Sequence, residues 1–230
     1  MSVFYSARDR IFYLHTAGTS YQMMVDELGY LFHLYYGPRT ERGMESVLVY
    51  EDHGFSGNPA EKRTERGYSL NTLPQEYPFW GAGDYRNTAF LMEDPVTHAQ
   101  GADLRFSSYR IQKGKFRLQM LPSARGAEPD DGFASENGAA SGNDLVSENG
   151  TSSDSGIDTL ELVLKDAVSG VEAVLYYSVY EAEDMITKNV VIRNSGKEPV
   201  LIRRAATHCL DLTEGDWDLI HFQGRHTMER

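Results

Sequence analysis

Residues Leu160–Val179, LELVLKDAVSGVEAVLYYSV, carry the clearest indication of the fold class. Leucine occupies every second position of its first half, at Leu160, Leu162 and Leu164. Apolar residues recur with the same period in its second half, at Val171, Ala173, Leu175, Tyr177 and Val179. A period of two places alternate side chains on one face of a strand. With Asp166–Gly170 as the turn, the stretch predicts a β-hairpin with one buried face.

Strand patterns continue on the N-terminal side of this hairpin. Short apolar groups separated by turn residues lie between Ile11 and Tyr36, which indicates several short strands. Residues 103–111 alternate in the same way but lose phase at Ser108. One extra residue in a strand produces such a break, so we predict a strand with a β-bulge.

The C-terminal side of the hairpin predicts one more strand pair. Residues 185–193 form a strand, residues 194–197 a tight turn, and residues 200–212 the returning strand. No segment keeps a helical period over three turns. The sequence therefore predicts an all-β fold, most simply a large antiparallel β-sandwich of the supersandwich kind, in which two sheets pack face to face.

Two stretches lack strand patterns. Residues 37–71 are rich in Gly, Arg and Glu and predict a long irregular excursion that carries Asp52 and Arg66. Residues 123–156 hold seven acids against Arg125, a net charge of −6 that is half of the chain's −12. Such a composition buries too little apolar surface to become ordered. We expect a disordered acidic insertion at about 123–156 within a single domain that spans residues 1–230.

The stretch 75–86, QEYPFWGAGDYR, combines four aromatic residues, a proline and two glycines. Aromatic rings bury much area, and glycine permits unusual backbone angles, so we predict a shaped surface loop. Asp84 and Arg86 stand two residues apart and predict a structural ion pair that holds this loop, with Trp80 as one of its aromatic residues. The pattern by itself names no chemistry.

Composition and motif spacing exclude several classes of function. A net charge of −12 argues against nucleic acid or an acidic membrane as a partner. No apolar run approaches the roughly 20 residues of a membrane helix. The seven histidines show no metal-ligand spacing, and no dinucleotide or nucleophile-elbow motif occurs, so we expect no metal and no cofactor. The acidic run 211–221 lacks the spacing of an EF-hand and predicts an acidic turn rather than a calcium site.

The location of the protein follows from its cysteine and its N-terminus. Cys209 is the single cysteine, so an intrachain disulfide cannot form. The first ten residues, MSVFYSARDR, lack the apolar core of a signal peptide. Both observations predict a cytoplasmic protein.

Six short motifs carry a resemblance to a known family. In chain order they are QEYP with GDYR (75–78 and 83–86), SYRI (108–111), TLEL (159–162), ITKN (186–189), DWDLIH (216–221) and ER (229–230). Taken together they resemble the N-terminal domain of bacterial α-galactosidases of glycoside hydrolase family 36. The resemblance implies a large β-sandwich that is followed, in full-length members, by a catalytic (β/α)₈ barrel and a small C-terminal β domain.

The resemblance also implies what this chain does not contain. Family members hydrolyse terminal α-galactosyl residues of oligosaccharides such as raffinose and melibiose, with retention, through two aspartates of the barrel. The chain ends at Arg230, about where the connection to the barrel begins. We therefore expect a fragment without catalytic residues, inactive alone, of an α-galactosidase.

The resemblance assigns three substrate-binding positions. In tetrameric members the long loop of this domain reaches the active site of a neighbouring subunit, where an aspartate and an arginine contact galactose. These positions match Asp52 and Arg66, whose charged groups suit the hydroxyls of a sugar. A family tryptophan that also contacts substrate falls at His226, where a histidine can form hydrogen bonds but offers a smaller stacking face. A homotetramer is expected.

Two alternatives stay open at the level of sequence. The chain could be a free-standing carbohydrate-binding module that stacks sugar on the loop aromatics Tyr77, Phe79, Trp80 and Tyr85. It could also be a structural assembly domain whose aromatic loop packs on a partner.

Overall fold

The computed structural model describes residues 2–52, 54, 57–117, 124, 156–210, 216 and 218. These residues contain ten strands and two short 3₁₀ turns, and no α-helix occurs among them. The strands are β1 (Val3–Ser6), β2 (Ile11–His15), β3 (Thr19–Val25), β4 (Leu31–Pro38), β5 (Phe90–Glu93), β6 (Leu104–Lys113), β7 (Ile157–Asp166), β8 (Val171–Tyr180), β9 (Met185–Asn194) and β10 (Leu201–Ala205). The 3₁₀ turns are Glu45–Val47 and Ala60–Lys62.

The strands form two four-stranded sheets and one two-stranded sheet. The first sheet has the order β1-β2-β3-β4 and the second the order β6-β7-β8-β9, and every pairing is antiparallel. One buried hydrophobic cluster joins the two large sheets. Aromatic rings meet across it: the Phe12 ring lies 5.1 Å from the Tyr109 ring, and the Tyr21 ring lies 5.9 Å from the Tyr177 ring. The predicted all-β sandwich is confirmed.

The hairpin of the decisive stretch is present as β7 and β8. Its alternate residues face one another in register, with Leu162 opposite Leu175 and Leu164 opposite Ala173, and all four are buried. In the connecting turn Gly170 has φ +75, and a Cβ there would lie 2.8 Å from the Cα of Gly196. Glycine is required at that position because both its backbone angle and its close neighbour exclude a side chain.

The prediction of a single buried face is wrong for β8. Tyr176, Ser178 and Tyr180 on its second face are also buried. The ring of Phe116, which follows β6, stacks on Tyr176 at 3.7 Å, and the Tyr180 hydroxyl donates to the carbonyl of Ala124. Phe116 and Ala124 therefore cover part of the face that the local period assigned to solvent.

The bulge predicted near Ser108 is confirmed. In the β6–β7 pair Phe106 is opposite Leu164 and Ser108 is opposite Val163, so the register shifts between Phe106 and Ser108. The shift leaves one residue of β6 without a partner in β7, which is the geometry of a bulge.

The predicted pairing of the last strand is wrong. The strand is shorter than residues 200–212, and β10 pairs with β5 rather than with β9. Arg203 of β10 binds both carboxylate oxygens of Glu93 in β5, at 2.9 and 3.0 Å. The turn at 194–197 suggested a local hairpin. Strand pairing with β5 and a long-range ion pair take its place.

Several predictions concern segments outside the described residues. The acidic insertion at 123–156 lies outside them except for Ala124 and Gly156, as does the run 211–221 except for Asp216 and Asp218. His226 also lies outside them. Among the described residues no helix is long and apolar enough to cross a membrane.

Candidate functional site

The excursion at 37–71 brings the two sugar-binding candidates together. The Nε of Arg66 lies 3.0 Å from Oδ2 of Asp52, although the residues are fourteen positions apart. A second nitrogen of the same guanidinium donates to the carbonyl of Gly54 at 3.0 Å, and Oδ1 of Asp52 accepts the Gly54 N–H at 2.8 Å. The backbone at Gly54 therefore fixes both partners of the pair.

This pair keeps hydrogen-bonding capacity for a ligand. The side chains of Asp52 and Arg66 are 46% and 65% exposed. Arg66 has five N–H groups, of which the two contacts above use two, and each carboxylate oxygen of Asp52 has a second lone pair. The pair thus presents donors and acceptors side by side, as the hydroxyls of a sugar require.

A small hollow lies beside the pair. It has a volume of about 280 Å³ and is lined by Gly54, Asn58, Arg63 and Arg66. A hollow of this size is large enough to hold several waters. The hollow opens to solvent on a loop surface and offers two guanidinium groups to whatever enters it.

The segment 58–66 is held by a 3₁₀ turn and by side-chain contacts around it. The Nδ2 of Asn58 donates to the carbonyls of Lys62 and Glu65 at 3.3 and 2.8 Å. Asn58 therefore links the chain before the turn Ala60–Lys62 to the chain after it. The Lys62 ammonium bonds to the carboxylates of Glu27 and Glu65. These contacts hold the segment that carries Arg63 and Arg66.

The aromatic loop at 75–86 is the frame beside this site. Asp84 is buried and accepts hydrogen bonds from Arg86 at 3.0 and 2.9 Å and from the side chain of Gln75 at 2.8 Å. Arg86 also donates to the carbonyls of Leu70 and Leu73, at the end of the excursion. Asp84 and Arg86 therefore tie the aromatic loop to the segment that returns from Arg66.

A second contact joins the two loops through backbone. Gly83 has φ +91, and a Cβ there would lie 2.5 Å from the carbonyl oxygen of Gly57. Only glycine allows this approach. The aromatic loop therefore touches the segment between Asp52 and Arg66 directly.

The structure limits the alternative of an aromatic sugar platform. Tyr77 and Phe79 are buried in the core, so neither can stack on a ligand. Trp80 and Tyr85 are exposed, and their rings meet edge to face with centroids 6.0 Å apart. The prediction of a surface loop is wrong for the first half of the stretch. Burial of large aromatic rings stabilises the folded state, and exposure to water does not.

Sequence reasoning missed a buried polar cluster around Glu76. The Glu76 carboxylate accepts hydrogen bonds from the hydroxyls of Tyr21 and Tyr177 at 2.7 and 2.6 Å and from the Lys188 ammonium at 2.6 Å. His33 lies 3.2 Å away. Glu76 and Lys188 occur in two of the quoted motifs, QEYP and ITKN, but nothing in the sequence shows that these motifs meet.

The electrostatics of this cluster favour the ionised acid. Burial alone would raise the pKa of Glu76, but the Lys188 ammonium and His33 hold it well below its ordinary value. Burial, reinforced by the Glu76 charge, raises the pKa of the Tyr177 hydroxyl. The cluster is an ion pair whose hydrogen bonds are satisfied within the core.

No metal centre is assembled in the part of the chain that the structure describes. None of its histidine, cysteine, aspartate and glutamate side chains form a group of three or more that could hold a metal ion.

Comparison with known proteins places the chain in a family. The family model of the glycosyl hydrolase family 36 N-terminal domain matches residues 29–230. The chain belongs to this family. As a family 36 N-terminal domain it is 44% identical over 230 residues to the bifunctional alpha-galactosidase/sucrose kinase AgaSK of Mediterraneibacter gnavus, and 32% identical over 232 residues to alpha-galactosidase AgaA of Geobacillus stearothermophilus. Both matches cover 100% of the chain but only 22% and 28% of those relatives.

Solved structures show the same fold in this family 36 domain. The galactosidase domain of AgaSK superposes with a TM-score of 0.76 at 43% identity, over 90% of this chain and 25% of that one. A variant of AgaA from Geobacillus stearothermophilus in complex with raffinose superposes with a TM-score of 0.68 at 31% identity, over 85% of this chain and 23% of that one. A further AgaA variant is in complex with stachyose.

Proposed function

We propose that this domain is part of a longer α-galactosidase, which hydrolyses terminal α-D-galactosyl residues of oligosaccharides of the raffinose and melibiose type with retention. The chemistry is assigned to a barrel that follows the domain. The relatives support this proposal, since they are named α-galactosidases and the chain corresponds to about a quarter of their length, between 22% and 28%.

The specific role of this domain is to complete a sugar site on a neighbouring subunit of a homotetramer. The observation that carries the proposal is the exposed Asp52–Arg66 pair, which has spare donors and acceptors and lies beside an open hollow. His226 is a third proposed substrate contact. A cytoplasmic location belongs to the same proposal, because a chain whose single cysteine is Cys209 cannot form an intrachain disulfide.

Kinetics of the full-length enzyme test the sugar contact. We expect Asp52→Asn and Arg66→Lys each to lower kcat/KM for melibiose by about 10- to 100-fold, because each removes hydrogen bonds to a charged group worth ~1.5–3 kcal/mol. The matched control is Glu41→Gln, an exposed acid 3.5 Å from Arg39 that does not line the hollow. Unchanged kinetics in both variants would contradict the proposal.

Mixed oligomers test the neighbouring-subunit role. Subunits with Asp52→Asn are mixed with subunits whose barrel nucleophile has been removed, and the oligomers are allowed to exchange. If the loop acts across the interface, some sites combine an intact barrel with an intact loop from its neighbour, and activity rises above that of either parent. Subunit exchange without such a rise would show that the loop does not act in trans.

A further inference from the structure

Arg63 lines the same hollow as Arg66, and no role follows for it from the family resemblance. It directly follows the 3₁₀ turn Ala60–Lys62 and has helical backbone angles, φ −53 and ψ −32. Arg63 and Arg66 both follow this turn in the chain, and both contribute to the lining of the hollow, with Gly54 and Asn58.

The charge environment of Arg63 differs from that of the cations around it. Lys62 is paired with two glutamates, Arg66 with Asp52, and Arg105 with Glu61 at 2.8 Å. Arg63 has no ion pair or side-chain hydrogen bond within the described part of the chain. A lone exposed arginine is ordinary on a protein surface. One that faces a hollow beside a fixed acid–base pair is available to bind what enters that hollow.

The position of Arg63 is fixed although its guanidinium is not. Asn58 donates to the carbonyls of Lys62 and Glu65, the residues on either side of the segment 63–64. The backbone of Arg63 is therefore held, while the exposed side chain can reorient. Such an arrangement suits a variable part of a ligand better than a part whose geometry must be exact.

The roles of the two arginines can be separated by their contacts. Arg66 is fixed by Asp52 and Gly54, so its free N–H groups have a set direction. A terminal galactosyl group has one stereochemistry and requires fixed partners. The sugar joined to it differs among oligosaccharides, and the exposed guanidinium of Arg63, which has no partner among the described residues, suits a part of the ligand that varies.

We propose that Arg63 is a specificity-determining residue that binds hydroxyl groups of the sugar attached to the terminal galactose. It separates oligosaccharide substrates from α-galactosides with a non-sugar leaving group. This inference rests on the proposed function, since it requires Asp52 and Arg66 to hold the galactosyl group.

The experiment compares Arg63→Ala and Arg63→Lys in the full-length enzyme, with raffinose, stachyose and 4-nitrophenyl α-galactoside as substrates. For Arg63→Ala we expect kcat/KM for the two oligosaccharides to fall about 5- to 30-fold, mainly through KM. The value for the nitrophenyl substrate changes less than about twofold, since that substrate offers no second sugar. Arg63→Lys keeps the charge but loses the planar fork, so its effect lies between Arg63→Ala and wild type.

Two controls make the outcome decisive. Arg8→Ala removes another exposed arginine, in the turn between β1 and β2, and should leave all three substrates unaffected. Asp52→Asn should lower kcat/KM for all three, because the galactosyl group is common to them. If Asp52→Asn has no effect, the proposed function fails. If Asp52→Asn has its effect but Arg63→Ala has none, or lowers all three substrates equally, only the role of Arg63 is overturned.

Discussion

Two acid–base pairs of this domain have similar chemistry and opposite surroundings. Glu76 and Lys188 lie 2.6 Å apart with side chains 0% and 7% exposed. Asp52 and Arg66 lie 3.0 Å apart with side chains 46% and 65% exposed. In the first pair two tyrosine hydroxyls also donate to the carboxylate, whereas the second pair keeps free donors and acceptors beside an open hollow.

The difference in burial predicts different roles for the two pairs. A buried ion pair has given up its water, so the loss of one partner leaves an uncompensated charge in the core. An exposed pair contributes little to stability, since water competes with it and salt screens it. We therefore expect the Glu76 pair to control folding and the Asp52 pair to control binding.

The largest effect is expected at Glu76. Glu76→Gln should lower the free energy of unfolding of the chain by about 3–5 kcal/mol, because the Lys188 ammonium stays buried without its counter-charge. Urea denaturation followed by circular dichroism measures this change. Glu41→Gln, an exposed glutamate, is the control and should stay within about 0.5 kcal/mol. A loss below about 1 kcal/mol at Glu76 would remove the contrast between the two pairs.

Asp84→Ala is expected to have the next largest effect and to lower the free energy of unfolding by about 2 kcal/mol. Its partner Arg86 is 39% exposed and can turn to water, so less charge is left unpaired than at Glu76. In a double-mutant cycle, Asp84→Ala with Arg86→Ala should cost less than the sum of the single changes. Additive losses in urea denaturation would show that the two residues act separately.

The pH dependence of stability gives a smaller and more gradual effect. The pKa of Glu76 is lowered on folding from an ordinary value of 4.5 by Lys188 and His33, against the opposing effect of burial. The ionised Glu76 therefore makes its full contribution to the free energy of unfolding above pH 4.5. This contribution is lost as the pH falls toward the folded-state pKa, by up to about 1.4 kcal/mol for each pH unit.

Unfolding of wild type and Glu76→Gln at a series of pH values below 5 isolates this contribution. The difference in the free energy of unfolding between the two proteins should become smaller as the pH falls. A constant difference would mean that Glu76 does not titrate with folding in this range.

The smallest effect on stability is expected at Asp52. Asp52→Asn should change the free energy of unfolding by less than about 0.5 kcal/mol, because the pair with Arg66 is half exposed. The same urea titration checks this value. A loss comparable with that of Glu76→Gln would mean that the loop pair is structural, and the kinetic effect of Asp52→Asn would then need another explanation.

Local patterns predicted several elements because their cause is local. The two-residue period from Leu160 to Val179 produced the β7–β8 hairpin, and the loss of phase at Ser108 marked the bulge in β6. A strand displays its period whatever it packs against, so these features can be read from neighbouring residues. The burial of the second face of β8 depends on Phe116 and Ala124. The alternation of residues within β8 does not predict these contacts.

The candidate site was only partly predictable. The resemblance to family 36 indicated Asp52 and Arg66, but composition and spacing could not predict that their charged groups lie 3.0 Å apart. Arg63 carried no signal, because an arginine in a polar loop is common and its importance depends on the hollow beside it. His226 lies outside the described residues, and its role stays a prediction.

The all-β class, the positions of most strands and the membership of a family follow from the amino-acid sequence, because strand periods and ordered motifs are properties of the chain. The pairing of β10 with β5, and the contact between QEYP and ITKN at the Glu76–Lys188 pair, became visible in the three-dimensional structure. The structure also placed Gly83 against Gly57, which joins the aromatic loop to the excursion at 37–71. Contacts between residues far apart in sequence depend on how two sheets pack, and that packing is a property of the whole chain.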